Sequence, residues 1–222
     1  MPDTMTFTCT WGRAPLPTSA APQAAYLLIE ATPGAATESV PLNFGLVLDR
    51  SGSMQGAKLA AMKDATKRVI DTLTPQDVVS IVLFDDTVQV LTPATAATDK
   101  AALLAAIDSI EEAGGTAMSA GLAAGQAELR KNMAPERVSA LLLLTDGKPN
   151  DLDQYEGRYG IEDTRMALLE ARRAGLHPFC VTIDQEADDY LPYLFGKDGF
   201  VLIRHPEDLP RQLLRLYSRL TG

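Results

Sequence analysis

Three short segments carry side chains that could act on one ligand together. Asp49-Arg50-Ser51-Gly52-Ser53, Gly114-Gly115-Thr116 and Asp146-Gly147 supply one carboxylate, two hydroxyls at alternate positions, a third hydroxyl and a second carboxylate. All five donors are hard oxygens, suited to a small divalent cation and poor for a soft one. Mg²⁺ is the expected ion, with Mn²⁺ or Ca²⁺ as substitutes. Residues two apart in a loop after a strand can turn the same way, so Asp49, Ser51 and Ser53 can converge on one point. Gly52 then relieves hindrance where the chain curls, and the glycines beside Thr116 and after Asp146 allow close approach. If the carboxylates act through water, the ion is incompletely neutralised and keeps open positions at about 2.1 Å in its octahedron. An Asp or Glu from a protein partner could complete that shell.

The elements needed to bring these loops together are legible from residue 42 onward. Apolar runs of strand length, LNFGLVL, VVSIVLF, VSALLLLT, HPFCVTI and GFVLI, alternate with stretches of helical spacing, the mark of repeated βαβ units. In KLAAMKDATKRVIDTL the residues Leu59, Met62, Ala65, Val69 and Leu73 form one stripe, leaving Lys58, Lys63, Lys67 and Arg68 in water. Similar stripes run over 99 to 110, 118 to 132, 162 to 174 and 206 to 220. Strands apolar on nearly every residue need cover on both faces, which predicts a doubly wound, Rossmann-like, mostly parallel α/β sheet between helix layers. The segment FDDTVQVLTP follows the second of these strands too closely for a helical crossover, so it should run antiparallel at an edge. In such a sheet ligands bind outside the carboxyl ends of the strands where strand order reverses, and the donor loops follow two of those ends.

The segments DRSGS, GGT and TDG, in that order on alternating elements, resemble the metal-ion-dependent adhesion site of von Willebrand factor A domains over about residues 42 to 222. That resemblance implies Ser51, Ser53 and Thr116 as direct metal ligands, Asp49 and Asp146 acting largely through bridging waters, and an adhesion or assembly module in place of an enzyme. The stretch TDGKPNDLDQYEGRYGIEDTRMALLEARRAGLHPFCVTID and the ending FGKDGFVLIRHPEDLPRQLLRLYSRLTG are similar to the C-terminal module of the NorD and CbbO group, substrate adaptors of hexameric MoxR-type AAA+ ATPases. DRSGSMQGAKLAAMKDA and SIVLFDDTVQVL are closer to the bacterial A domains related to calcium-activated chloride channel regulators. The implied partners are thus a protein carboxylate and a MoxR-type ATPase.

Composition excludes other classes. In 222 residues, 46% are apolar and 22% charged, which fits one packed domain. A net charge of -9 opposes a general grip on nucleic-acid phosphate or an anionic membrane. The two cysteines, Cys9 and Cys180, can build neither a disulfide framework nor a four-thiolate zinc site. With no basic-then-apolar leader and no run of about 18 apolar residues, a cytoplasmic location is expected. Residues 1 to 40, broken by the Pro-rich stretch 12 to 24, are expected to form an extended segment or hairpin before a domain spanning 41 to 222.

Competing chemistries lack parts. Asp151, Asp153, Glu156, Glu162 and Asp163 have carboxylates spaced for Ca²⁺ but no later bidentate Glu at the required offset, and read better as a solvated rim with Glu162 and Asp163 at a helix N-terminus. Ser51 lies in no G-x-S-x-G elbow, and His177 falls at the amino end of its strand, away from a nucleophile. Cys180 reads as a core thiol. A metal-dependent phosphohydrolase is the alternative from another class, but the position two after Asp49, where an acid/base carboxylate is needed, is Ser51. A structural subunit with an empty site is the third reading.

Overall fold

The structure, a computed structural model, describes residues 5–11, 27–33, 40–147, 156–183 and 190–221. Contacts divide the chain into two units, Met1–Ser39 and Val40–Gly222. In the first, β1 (Met5–Trp11) pairs antiparallel with β2 (Leu27–Pro33), with Cys9 opposite Ile29.

The second unit begins with β3 (Leu42–Asp49), every residue of which is buried. Helix α1 (Ala57–Thr72) leads to β4 (Val78–Phe84), and β5 (Val88–Ala96) returns beside it. Then come α2 (Lys100–Asp108), α3 (Met118–Arg130), β6 (Val138–Thr145), α4 (Glu156–Arg173), β7 (His177–Thr182), α5 (Leu191–Phe195), β8 (Phe200–Leu202) and α6 (Leu209–Thr221). The sheet order is β5-β4-β3-β6-β7-β8, parallel throughout except for β5, which runs antiparallel to β4. The expected fold class and the antiparallel edge strand are therefore what the chain adopts.

Alternation along the strands divides the core. Phe44, Leu46 and Leu48 of β3 join Met62 and Val69 of α1, Ile107 of α2 and Leu213 of α6 on one side. Val47 joins Leu122 of α3, Leu168 of α4 and Leu194 of α5 on the other. The five apolar residues assigned to the α1 stripe are all buried. Each fully buried Leu, Val or Phe contributes roughly 1.5–3 kcal/mol relative to exposure, so both helix layers are fastened to the sheet by several such anchors. Asp99 caps α2 by accepting from the Ala102 amide at 3.0 Å, satisfying a first-turn N–H.

Two sequence expectations need correction, and one helix lies outside them. Helix α4 already includes Glu156, so Glu162 and Asp163 lie inside it and not at its N-terminus. The stripe over 206 to 220 divides into a 3₁₀ turn, Pro206–Asp208, and α6. Helix α5, only five residues long, makes the β7-to-β8 crossover; it is too short to show a helical period in the sequence.

Two features position the loops. The chain passes from β3 to β4 on one side and later places β6 on the other, so strand order reverses at the carboxyl end of β3. Helix α3 packs tightly on this part of the sheet because Gly125 faces Val47 and Gly121 faces Phe84. A Cβ on Gly121 would lie 2.9 Å from Phe84 Cβ, and one on Gly125 would overlap Val47 Cγ2. The loop entering α3 is thereby drawn over the same rim. At the outer edge, β5 is mostly exposed and carries Pro93, and its Ala94 amide donates to Glu128 Oε2 of α3 at 3.0 Å.

Candidate metal centre

Asp49 is the last residue of β3 and fully buried, and Asp146 directly follows β6 on the neighbouring strand. Parallel pairing of β3 with β6 brings them together although nearly a hundred residues separate them in the chain. Asp49 Oδ1 accepts from the Ser51 amide at 2.9 Å, curling the loop back onto the strand end. Asp49 Oδ2 accepts from Thr145 Oγ1 at 2.6 Å. The Ser51 and Ser53 hydroxyls are 3.1 Å apart, and Ser53 Oγ donates to Asp146 Oδ1 at 2.7 Å. Four of the five donors thus share one hydrogen-bonded cluster at the switch point.

Thr116, half-buried, stands outside that chain of side-chain bonds; its loop is joined to the cluster through backbone. Gly52 N donates to Gly114 O at 3.1 Å, and Ala113 N to Arg50 O at 2.8 Å. On its other flank, Ala117 N donates to Asp85 O at 2.5 Å. Gly114 has φ +54°, and a Cβ there would strike the Asp86 carboxylate, so this turn requires glycine. Gly52 has room to spare: its nearest neighbour to an added Cβ is Gly114 O at 3.7 Å. The relief of hindrance expected at Gly52 therefore belongs to Gly114.

Residues not foreseen as part of the site support it. Arg50 Nε pairs with Asp85 Oδ2 at 2.7 Å, and Asp85 Oδ1 accepts from the Thr87 amide at 2.6 Å and its hydroxyl at 2.7 Å. Asp85 follows β4 at the same sheet rim, so the strand-end rule that found Asp49 and Asp146 also points to it. In the sequence this aspartate sits within FDDTVQVLTP, where the close return of the chain to β5 masks it. Lys58, expected to be in water, instead bonds Asp146 Oδ2 with its ammonium and donates to Ser53 O at 3.3 Å. Its position on the first turn of α1, five residues after Ser53, was the available signal.

The electrostatics favour a cation. Burial pushes the Asp49 carboxyl above its ordinary value; hydrogen bonds from Ser51 and Thr145 pull it back, and the nearby Asp146 charge raises it again. A buried carboxylate in this position gains from positive charge. The donor chemistry fits a hard divalent ion: two carboxylates and a pair of clustered hydroxyls, with a third hydroxyl on the adjoining loop. Among the described residues no group of three or more His, Cys, Asp or Glu could hold a metal, so a thiolate or imidazole centre has no counterpart there.

Other candidates fall elsewhere. Asp151 and Asp153 lie outside the described residues. Glu162 accepts from the Tyr193 hydroxyl at 2.6 Å on the α4 surface. His177 is exposed at the amino end of β7, far along the strand from the donor rim, as expected. Cys180 is buried, which pushes its thiol far above the ordinary range, and both cysteines are free. No helix among the described residues is long and apolar enough to cross a membrane.

Comparison with known proteins bears on the family and the fold. Protein NorD of Stutzerimonas stutzeri is 68% identical over 72 residues, 32% of this chain and 12% of that protein. Protein NorD of Brucella melitensis is 47% identical over 107 residues, 48% of this chain and 17% of that protein. The chain therefore matches only a small part of the length of these relatives. Among solved structures, a von Willebrand factor type A protein from Catenulispora acidiphila superposes with a TM-score of 0.67 at 23% identity, covering 97% of this chain and 50% of that one. A proximal thread matrix protein of mussel byssus, whose metal-ion-dependent adhesion site holds zinc, superposes at 0.64 and 18% identity, covering 80% of this chain and 47% of that one. These structural likenesses speak to the fold. The von Willebrand factor type A domain model matches residues 43–203, from the second residue of β3 to just past β8, and the chain belongs to that family.

Proposed function

We propose that this chain is a metal-dependent protein-interaction module, in which Asp49, Ser51, Ser53, Thr116 and Asp146 hold a divalent cation, Mg²⁺ by preference. The observation that carries the reading is the convergence of the Ser51–Ser53–Asp146 hydrogen-bonded chain on buried Asp49 at the strand switch point. When bound, the ion supplies Lewis acidity that an incoming Asp or Glu carboxylate of a protein partner can satisfy.

The chain's own residues do the rest. Thr145 fixes one Asp49 oxygen and the Ser51 amide fixes the other, so the carboxylate is oriented before any ligand arrives. Ser53 and Lys58 hold the two Asp146 oxygens. Arg50 and Asp85 tie the loops after β3 and β4 to the one bearing Thr116. This preorganisation lowers the ordering cost of recognition and places specificity in one small rim.

Kinship with the NorD proteins extends the reading to a partner class: an adaptor or assembly factor for a MoxR-type AAA+ ATPase inside the cell, carried by the domain over 41–222. Capture of a partner from native lysate should occur with Mg²⁺, fail in EDTA and fail with Asp49→Ala. Equal capture in EDTA overturns the reading. Turnover of a generic phosphate ester with Mg²⁺, lost in Asp49→Ala, would favour a phosphohydrolase in its place.

A further inference from the structure

Resting on the metal-dependent reading, we propose that Lys58 is a built-in competitor of the divalent cation: its ammonium and the metal ion are alternative partners of Asp146, and binding one displaces the other. The argument begins with placement. Lys58 lies on the first turn of α1, directly after the loop carrying Ser51 and Ser53, and its ammonium reaches back into the donor cluster. It touches two groups there, Asp146 Oδ2 and the Ser53 carbonyl, both belonging to residues of the proposed ligand set.

The Asp146 carboxylate is fully engaged. One oxygen accepts from Ser53 and the other from Lys58, and its side chain is only 1% exposed. A divalent ion approaching this carboxylate meets a positive charge within a few ångströms in a partly buried setting, where like-charge repulsion is only weakly screened. The Lys58 side chain is 34% exposed, and its flexible four-carbon stem can carry the ammonium outward into water at little packing cost. Asp49 and Asp146 cannot move in the same way, being fixed at strand ends. The mobile member of the cluster is therefore the lysine, and yielding by the lysine is the route that leaves the oxygens in place.

The consequence is a metal affinity set below what the oxygen donors alone would give. Lys58→Met keeps the length of the stem and removes the charge, and Lys58→Gln keeps a polar head without charge. Mg²⁺ titration calorimetry on the full chain is expected to show binding on the order of tenfold tighter in both variants than in the unsubstituted protein. In EDTA, both variants are expected to melt at a lower temperature, because Asp146 loses its counter-charge, and adding Mg²⁺ is expected to raise their melting temperature more than that of the parent. Unchanged or weaker Mg²⁺ binding in the variants, beside measurable binding in the parent, overturns the competition and leaves the metal-dependent reading standing. Absence of Mg²⁺ binding in the parent and in both variants overturns the competition and the metal-dependent reading together.

Discussion

Ser53 Oγ donates to Asp146 Oδ1 at 2.7 Å, joining residues 93 positions apart in the chain. Parallel pairing of β3 and β6 makes this contact, so it exists only once the sheet has assembled. Ser53→Ala removes one end of it and deletes one of the five proposed donors. The expected result is a Mg²⁺ affinity lower by tenfold or more, with a stability loss of only about 1 kcal/mol, because Asp146 retains Lys58. Titration calorimetry and urea unfolding measure the two effects separately.

Thr145 differs, because it and Asp49 are both buried. Thr145→Val preserves shape and removes the 2.6 Å hydrogen bond to Asp49 Oδ2. A buried acceptor stripped of its donor costs about 1–3 kcal/mol, so stability should fall by that amount and Mg²⁺ binding should weaken as Asp49 loses its orientation. An unfolding midpoint in EDTA equal to the parent's would contradict this account.

Asp85 contributes to the acid side of the stability curve. Burial alone would raise its carboxyl, but the Thr87 hydrogen bonds, a bond involving Asp86 and the Arg50 charge outweigh it and hold the group below its ordinary 3.8. A depressed folded-state value contributes stability that is fully present above the unfolded value and is lost as the pH falls through the folded one. Asp85→Asn should therefore be less stable near neutrality by about 1–3 kcal/mol, and flatter in its dependence on acid below the ordinary carboxylate range. Denaturant midpoints measured across the acidic range for both proteins test this; parallel curves would refute it. Glu128, also lowered as Lys131 and the Ala94 amide outweigh its burial, shifts both curves in the same direction.

Gly125 tests how the Thr116 loop is placed. Gly125→Ala gains about 1 kcal/mol of helix propensity but drives a Cβ into Val47, a stiff β-branched side chain on a central strand. Overpacking should win, giving a net loss of about 1–2 kcal/mol. Val47→Ala makes room for the added methyl, so the double variant should be more stable than the sum of the single effects predicts.

How much of this was written in the sequence depends on the range of the interaction. Strand runs such as VSALLLLT and the stripe of Leu59, Met62, Ala65, Val69 and Leu73 declare themselves locally, since period and apolarity belong to neighbouring residues. Asp49, Ser51, Ser53 and Asp146 were legible because strand ends in a doubly wound sheet share a rim. Lys58 falls on the polar side of the helix stripe, and although its place five residues after Ser53 ties it to the donor loop, the carboxylate it meets arrives from β6. Thr145 and Arg50 were passed over for the same reason: their partners come from other strands. The early turns of α4 escape the period because GRYGIED carries two glycines that interrupt the apolar stripe.

The outer strand β5 has a consequence for assembly. Sheets with open borders invite lateral growth, through β-augmentation by a peptide or through fibril formation. Here one border is interrupted by Pro93, which has no amide hydrogen to offer, and by Ala94, whose amide is already taken by Glu128. The opposite border, β8, is three residues long. Zippering onto this six-stranded sheet is disfavoured at either border, so its growth by lateral addition of strands is opposed.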